Sequence, residues 1–205
     1  IIRNLEPFHR FLSVAAQMAG KVINYSTIAR DTGASVPTVQ SYFQILEDTL
    51  LGFTLPQFHE SIRKRQRANP KFYFFDSGVQ RALAEELNTT IHSRTSQYGH
   101  AFEQFVINEI YRLQSYYRKD YRLSYILTGS GVEIDLIIER PGQKRAAIEI
   151  KSTTSVTKND LRGLLTLGRD IPECELFCLS KDVMPKIIEG VHCLPWNMGL
   201  TELGL

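Results

Sequence analysis

The sequence predicts a mixed α/β chain, α+β overall, in which a helical first part precedes a mixed β-sheet. Apolar residues recur at helical spacings of three and four through residues 5–46. Apolar and polar residues alternate along two predicted strands, 132–139 and 145–151, and Gly- and Pro-containing turns bound them. The second part reads α-β-β-β-α-β. We therefore predict two domains, residues 1–90 and 91–205.

The composition is that of an ordinary globular chain. Of its 205 residues, 43% are hydrophobic and 22% are charged, which provides a sizeable core and argues against disorder. The formal net charge is only +2. No apolar run of about 18 residues occurs, so we expect neither a membrane span nor a membrane partner. The three cysteines form no C-x-x-C pair, and we expect reduced thiols in a cytoplasmic protein.

Two short helices joined by a tight turn are predicted in the first part. Ser26 is a candidate N-cap of the first helix and Ser35 of the second, whose Pro37 falls in the first turn. The second helix has one apolar face, and its other face is polar and uncharged: Thr38, Gln40, Ser41 and Gln44. This pattern is typical of a helix-turn-helix motif, whose second helix reads base edges.

A β-hairpin is predicted after this motif, from residues 51–55 and 72–75. The connection carries a dense basic run, with one more lysine behind it: Arg63, Lys64, Arg65, Arg67 and Lys71. A helix-turn-helix followed by a strand, a basic loop and a strand is the pattern of a winged helix, and the basic run would contact phosphates. The second helix contains no Arg or Lys, so a module that only joins protein parts stays an alternative.

Acidic residues are predicted to converge on two neighbouring strands of the second part. Alternation puts Glu133 and Asp135 on one face of their strand, and Glu149 and Lys151 on one face of the next. Buried carboxylates need a compensating charge. A Mg²⁺ or Mn²⁺ ion would supply it, with Asp135, Glu149 and the Ile150 carbonyl as ligands.

The chemistry predicted for this set is phosphodiester hydrolysis. The metal would acidify a bound water and stabilise charge on a phosphate oxygen. Lys151 would orient the nucleophile and stabilise the charged transition state. Glu103, from the preceding helix, would orient a metal-bound water through an outer-shell contact. The alternative is a plain salt bridge on a half-exposed sheet, because an E-x-K tripeptide alone is common.

These residues resemble a known fold. Asp135 with Glu149-Ile150-Lys151, after the helix that carries Glu103, is similar to the PD-(D/E)xK restriction-endonuclease-like fold. The whole chain also resembles the C-terminal region of prokaryotic AAA-type ATPases that end in a domain of unknown function. The segments that carry this resemblance include K-F-Y-F-F-D-S-G-V, G-H-A-F-E-Q-F-V-I-N-E-I, G-V-E-I-D-L-I-I-E and I-E-I-K-S.

The resemblance implies an upstream ATPase module. The chain has no G-x-x-x-x-G-K-[ST] motif, so ATP would bind only through that module. The first residue is Ile1 rather than Met, which favours a piece of a larger protein. Relatives often carry an Arg just before the G-x-E-x-D turn, where this chain has Ile126-Leu127-Thr128.

The expected partners are DNA and the upstream ATPase domain of the same polypeptide. Two alternatives stay open. The first is a nuclease-derived module without catalysis that regulates the ATPase or docks a protein partner. The second is an assembly role as a homo-oligomer, in which Tyr42, Phe43 and Phe53 would face a partner instead of their own core.

Overall fold

The computed structural model describes residues 5–59 and 68–205, and over these ranges the chain is an α+β protein, as predicted. The described residues form seven α-helices, a two-stranded sheet and a six-stranded mixed sheet. Contacts divide the chain into two units. The first is Ile1–Pro56 with Ser61–Thr90, and the second is Gln57–Glu60 with Ile91–Leu205. None of the helices in the described part has the length and apolar character needed to cross a membrane.

Three helices of the first unit pack around one apolar cluster: α1 (Leu5–Gln17), α2 (Tyr25–Thr32) and α3 (Val36–Asp48). The turn between α2 and α3 contains Gly33 at φ 69°, a left-handed conformation that glycine adopts without strain. Ser35 caps α3, as predicted, because its hydroxyl accepts a hydrogen bond from a main-chain N–H of the first turn.

The N-cap predicted for α2 is wrong. The cap is Asn24, whose side-chain oxygen accepts a hydrogen bond from the Thr27 N–H at 3.0 Å. Ser26 instead lies inside the first helical turn. An asparagine accepts the same hydrogen bond as a serine, so two candidates two residues apart were not separable by residue type.

The predicted hairpin is formed by β1 (Gly52–Leu55) and β2 (Lys71–Phe74), which pair antiparallel. A short helix, α4 (Ser77–Leu83), follows and is capped by Asp76. The basic run lies outside the described residues: Arg63, Lys64, Arg65 and Arg67.

Three aromatic residues lie in the interior, although the assembly alternative requires them to face a partner. Tyr42, Phe43 and Phe53 are 7%, 3% and 5% exposed. Phe43 lies edge-on to Phe11 in the same cluster, with ring centroids 4.9 Å apart. These side chains therefore pack in their own core and offer no surface to a second copy.

The second unit is built on the six-stranded sheet. Its elements, in chain order, are α5 (Ser96–Tyr116), β3 (Arg122–Leu127), β4 (Glu133–Glu139), β5 (Arg145–Lys151), a 3₁₀ turn (Lys158–Leu161), α6 (Arg162–Leu167), a second 3₁₀ turn (Gly168–Asp170), β6 (Cys174–Ser180), β7 (Lys186–Ile188), β8 (Val191–Pro195) and α7 (Trp196–Glu202). The strand order is β3-β4-β5-β6-β8-β7. The β5–β6 and β6–β8 pairs are parallel, and the other pairs are antiparallel.

One edge of this sheet is extended by the residues that follow β1. Gln57 pairs in parallel with Tyr125 of β3, and the Phe58 N–H donates to the Tyr125 carbonyl at 2.6 Å. The Gln57 amide donates to the Leu127 carbonyl at 2.7 Å. Phe58 also packs against the apolar cluster of this unit. We call Gln57, Phe58 and His59 the edge segment.

Candidate functional site

Strands β4 and β5 and the helices beside them line an open cavity of about 640 Å³ in the second unit. All of the predicted catalytic and metal-binding residues line it: Glu103, Asp135, Glu149, Ile150 and Lys151. We call this space the carboxylate cavity. The antiparallel pairing of β4 with β5 produces it, because the polar faces of both strands meet there.

Asp135 is buried, with 7% of its surface exposed. Its Oδ2 atom accepts a hydrogen bond from the Ile150 N–H at 2.7 Å. This bond fixes the carboxylate against the neighbouring strand. The Ile150 N–H forms this contact, whereas the predicted metal ligand is the Ile150 carbonyl.

Glu149 is equally buried, and its two carboxylate oxygens have different surroundings. Oε1 forms an ion pair with Lys151 Nζ at 2.5 Å. Oε2 is enclosed and has no hydrogen-bond partner among the described residues. Burial raises the pKa of Glu149 to about 8, the Asp135 charge adds to that rise, and the Lys151 ammonium partly offsets it.

Lys151 keeps its charge in this setting. Burial acts to lower its pKa, but the negative charges of Glu149 and Asp135 outweigh that effect and hold the pKa above its ordinary value. About a third of the side chain is exposed, so the ammonium borders the cavity while it binds Glu149.

Gly163 is a site residue that sequence reasoning missed. A Cβ atom here would lie 2.1 Å from the Glu133 carbonyl oxygen and 3.4 Å from Glu149 Oε2. Only a glycine therefore lets α6 approach β4 and β5 at this point. The available signal was a glycine inside a helical apolar pattern, which often marks close packing. Arg162 also lines the cavity and was not predicted.

The donor set fits a hard divalent cation that keeps several waters. Mg²⁺ is commonly bound through only one or two carboxylates, and Asp135 and Glu149 provide two. The unpartnered Glu149 Oε2 is the buried atom that a cation would satisfy. Among the described residues, however, no group of three or more His, Cys, Asp and Glu side chains is arranged to hold a metal ion.

The predicted base-reading residues of α3 point to solvent for the most part. Gln40, Ser41 and Gln44 are exposed, and Thr38 is half-buried. Ser41 and Gln44 use their polar atoms within the helix, donating to the Pro37 carbonyl and to Asp48 Oδ1. These bonds would have to be exchanged for contacts with base edges.

Lys71 does not fit its predicted role. It is the first residue of β2, pairs with Leu55 and Val22, and is 4% exposed. An ammonium enclosed in this way is not available to a phosphate, which corrects the prediction. The periodic pattern missed this because the strand begins one residue earlier than expected.

Two family comparisons match adjacent parts of the chain. Residues 1–91 match a family described as a domain of unknown function, DUF8612. Residues 98–198 match another, DUF4143. The matches meet close to residue 91, where the long segment of the second unit begins. Neither description names an activity.

Two mycobacterial proteins are similar over most of the chain. They are the uncharacterized protein Mb2031c of Mycobacterium bovis and the uncharacterized protein Rv2008c of Mycobacterium tuberculosis. Each is 28% identical over 160 residues, which is 77% of this chain and 35% of the relative. The chain thus spans about a third of the length of the relatives it matches. No solved structure matches it.

Proposed function

We propose that this chain is a DNA-interacting module of a prokaryotic ATPase and that its second unit hydrolyses phosphodiesters with Mg²⁺ or Mn²⁺. One observation carries the proposal. Asp135, Glu149 and Lys151 come from two adjacent strands and line one cavity, and Glu103 of α5 lines it too. A plain surface salt bridge needs neither the burial of Asp135 and Glu149, each 7% exposed, nor the second carboxylate.

The chain's own groups would divide the work. Asp135, Glu149 and the Ile150 carbonyl would hold the metal, which supplies a Lewis acid and an acidified water. Lys151 would hold the attacking water through its ammonium and stabilise charge on the phosphate. Glu103 would accept a hydrogen bond from a water in the cavity. Ionisation of Glu149 is required for binding, so its raised pKa makes metal affinity increase with pH.

The DNA-interacting part of the proposal is supported by the first unit. Helices α2 and α3 are joined by a tight turn and followed by a two-stranded sheet, an order typical of a winged helix. Gln40, Ser41 and Gln44 form an exposed polar face on α3 that would approach base edges. The basic run of residues 63–67 would contact phosphates.

The test is cleavage of labelled DNA and RNA with Mn²⁺ by the parent and by Asp135→Asn. We expect the variant to lose at least about 100-fold in rate, comparable to loss of one preorganised charge-stabilising group, and to bind DNA as before. Asp170→Asn is the matched control, since it removes the same charge from an exposed 3₁₀ turn outside the cavity. No cleavage by the parent, or equal cleavage by Asp135→Asn, contradicts the proposal.

A second candidate is a nuclease-derived module that binds and regulates without catalysis. Two observations favour it. Among the described residues no three-residue metal group occurs, and the stretch before the β3–β4 turn lacks the Arg that the ATPase family that this chain resembles often carries there. Calorimetric titration with Mn²⁺ separates the candidates. Heat of binding that is lost in Asp135→Asn supports the metal site, and no heat in the parent supports the regulatory module.

A further inference from the structure

Tyrosines and basic residues are concentrated at the end of α5 and in the turn into β3. Residues 111–122 contain four tyrosines, four Arg or Lys residues and one acidic residue. The chain has nine tyrosines in total, so nearly half of them fall in these twelve positions. We call five of these residues the aromatic–basic turn: Tyr116, Tyr117, Arg118, Lys119 and Arg122.

The two tyrosines of this turn are left in solvent. Tyr116 is 80% exposed and Tyr117 is 54% exposed. Their rings meet edge to face, with centroids 5.3 Å apart. The larger part of Tyr116 therefore contributes nothing to the core of the unit, although a large aromatic surface in water is unfavourable. Such rings are open to stacking by a ligand.

The positively charged side chains of the turn are also exposed. Arg118, Lys119 and Arg122 are exposed, and within the described part of the chain their side chains form no hydrogen bond or ion pair. Arg112, one turn earlier in α5, differs because it pairs with Glu109 at 2.7 Å. Three neighbouring positive charges without local partners attract an anionic ligand.

Arg118 has a left-handed backbone conformation, which is unfavourable for a residue with a Cβ atom. Its φ is 51°, and the Lys119 N–H donates to the Gln114 carbonyl at 2.7 Å to close α5. Helices that end in this way usually have glycine at this position, because a Cβ atom is strained there. A long cation thus replaces the residue that the backbone favours. The Tyr121 hydroxyl donates to the Leu203 carbonyl at 3.1 Å and anchors the turn.

The same turn borders a second and larger cavity, of about 1090 Å³. Lys119 and Arg122 line it together with Arg140 and Arg145. The last two are paired with Glu175 and Glu139, and two further carboxylates, Asp120 and Glu173, also line the cavity, so the positive charge that remains is small and lies at the turn. Charged and polar walls suit a nucleotide better than a lipid tail or an apolar peptide.

We propose that the aromatic–basic turn binds single-stranded nucleic acid. Unpaired bases stack on Tyr116 and Tyr117, and the phosphates between them pair with Arg118, Lys119 and Arg122. A duplex does not offer open base faces, so it binds less tightly here. Strand β4 runs from Glu133 in the carboxylate cavity to Glu139 in the second cavity. That distance is about 20 Å at the rise of a β-strand. The binding site is therefore separate from the proposed hydrolytic site and does not require hydrolysis.

The test is fluorescence anisotropy of labelled dT₁₅, rU₁₅ and a 15-bp duplex with the full chain in EDTA, at two salt concentrations. Tyr116→Ala with Tyr117→Ala should weaken binding of the single strands by about 10-fold or more, whereas the two Tyr→Phe changes should preserve it, since stacking needs only the ring. Both positions are exposed, so folding should persist. Binding by dT₁₅ alone or rU₁₅ alone supports the site and shows which of the two strands the turn accepts.

Arg118→Gly separates binding from stability. It should raise the melting temperature by about 2–4 °C, because the strain is removed, while binding weakens several-fold and the salt slope falls by about 0.7. Arg94→Gly is the matched control, because Arg94 is also an exposed arginine with positive φ, at 68°. It should raise stability without reducing binding.

Three results would overturn the inference. The first is no binding of either single strand, and the second is equal binding by the double alanine variant. The third is tyrosine-dependent binding to vesicles that contain anionic lipid, in the absence of binding to oligonucleotides. Since every arm is run in EDTA, failure of the proposed hydrolysis leaves the outcome unaffected.

Discussion

The charge of Glu149 depends strongly on its surroundings. Its pKa of about 8 exceeds the ordinary value of 4.5, so the folded chain holds a proton there that the unfolded chain releases. The proton on Glu149 therefore stabilises the folded chain. This contribution to the unfolding free energy is complete below about pH 4.5 and is lost as the pH rises through about 8. Lys151 stays charged across this window, because its own pKa lies above its ordinary value.

Glu149→Gln tests this linkage in EDTA. The unfolding free energy of the parent, relative to the variant, should fall by up to about 1.4 kcal/mol per pH unit between pH 5 and 8. Urea unfolding at several pH values measures it. Added Mn²⁺ should reduce the fall in the parent only, because a cation favours the ionised carboxylate. A pH-independent difference would contradict the raised pKa.

Residue-level prediction succeeded where a periodic pattern carried the information. Alternation along β4 and β5 predicted residues that line the carboxylate cavity, such as Asp135 and Glu149. It gave no warning that Lys71 is enclosed, because exposure of a single lysine depends on how the strands around it pair. Gly163 was missed for a related reason, since its role arises only when α6 meets β4.

At the scale of elements, the packing of α6 on the sheet is the contact that shapes the carboxylate cavity. Gly163→Ala would force a Cβ atom against the Glu133 carbonyl oxygen, which lies 2.1 Å from that position. We expect a loss of about 1–3 kcal/mol in unfolding free energy, as for overpacking elsewhere. Gly129→Ala is the control, because its Cβ would have no neighbour within 4 Å. Urea midpoints compare the two, and equal midpoints would contradict the close contact.

Elements were predictable in proportion to their length and regularity. The β5 strand agrees with the sequence pattern at both ends, and β4 differs by one residue. The β7 strand was missed because it has only three residues, too few for an alternation to register. The last helix, α7, was also missed. It begins directly after β8, and the glycine in its middle weakens a helical pattern.

At the scale of the whole molecule, the edge segment is the feature that the sequence did not suggest. Phe58→Ala should destabilise the second unit, because its side chain packs in that unit's core and Arg145 lies over its ring at 5.6 Å. The measurement is amide hydrogen exchange, which should accelerate in β3, where Tyr125 accepts the Phe58 hydrogen bond. Phe75→Ala, in the first unit, should leave the exchange of β3 unchanged.

The route of the chain gives the edge segment a further meaning. The chain passes from the first unit to the second after Pro56, returns, and passes again after Thr90. A protease that cuts once near residue 90 therefore does not yield two independent fragments. The N-terminal fragment would keep Gln57 and Phe58, whose hydrogen bonds to β3 tie it to the C-terminal fragment. Nicked protein would then run as two bands in denaturing gels and as a single species under native conditions.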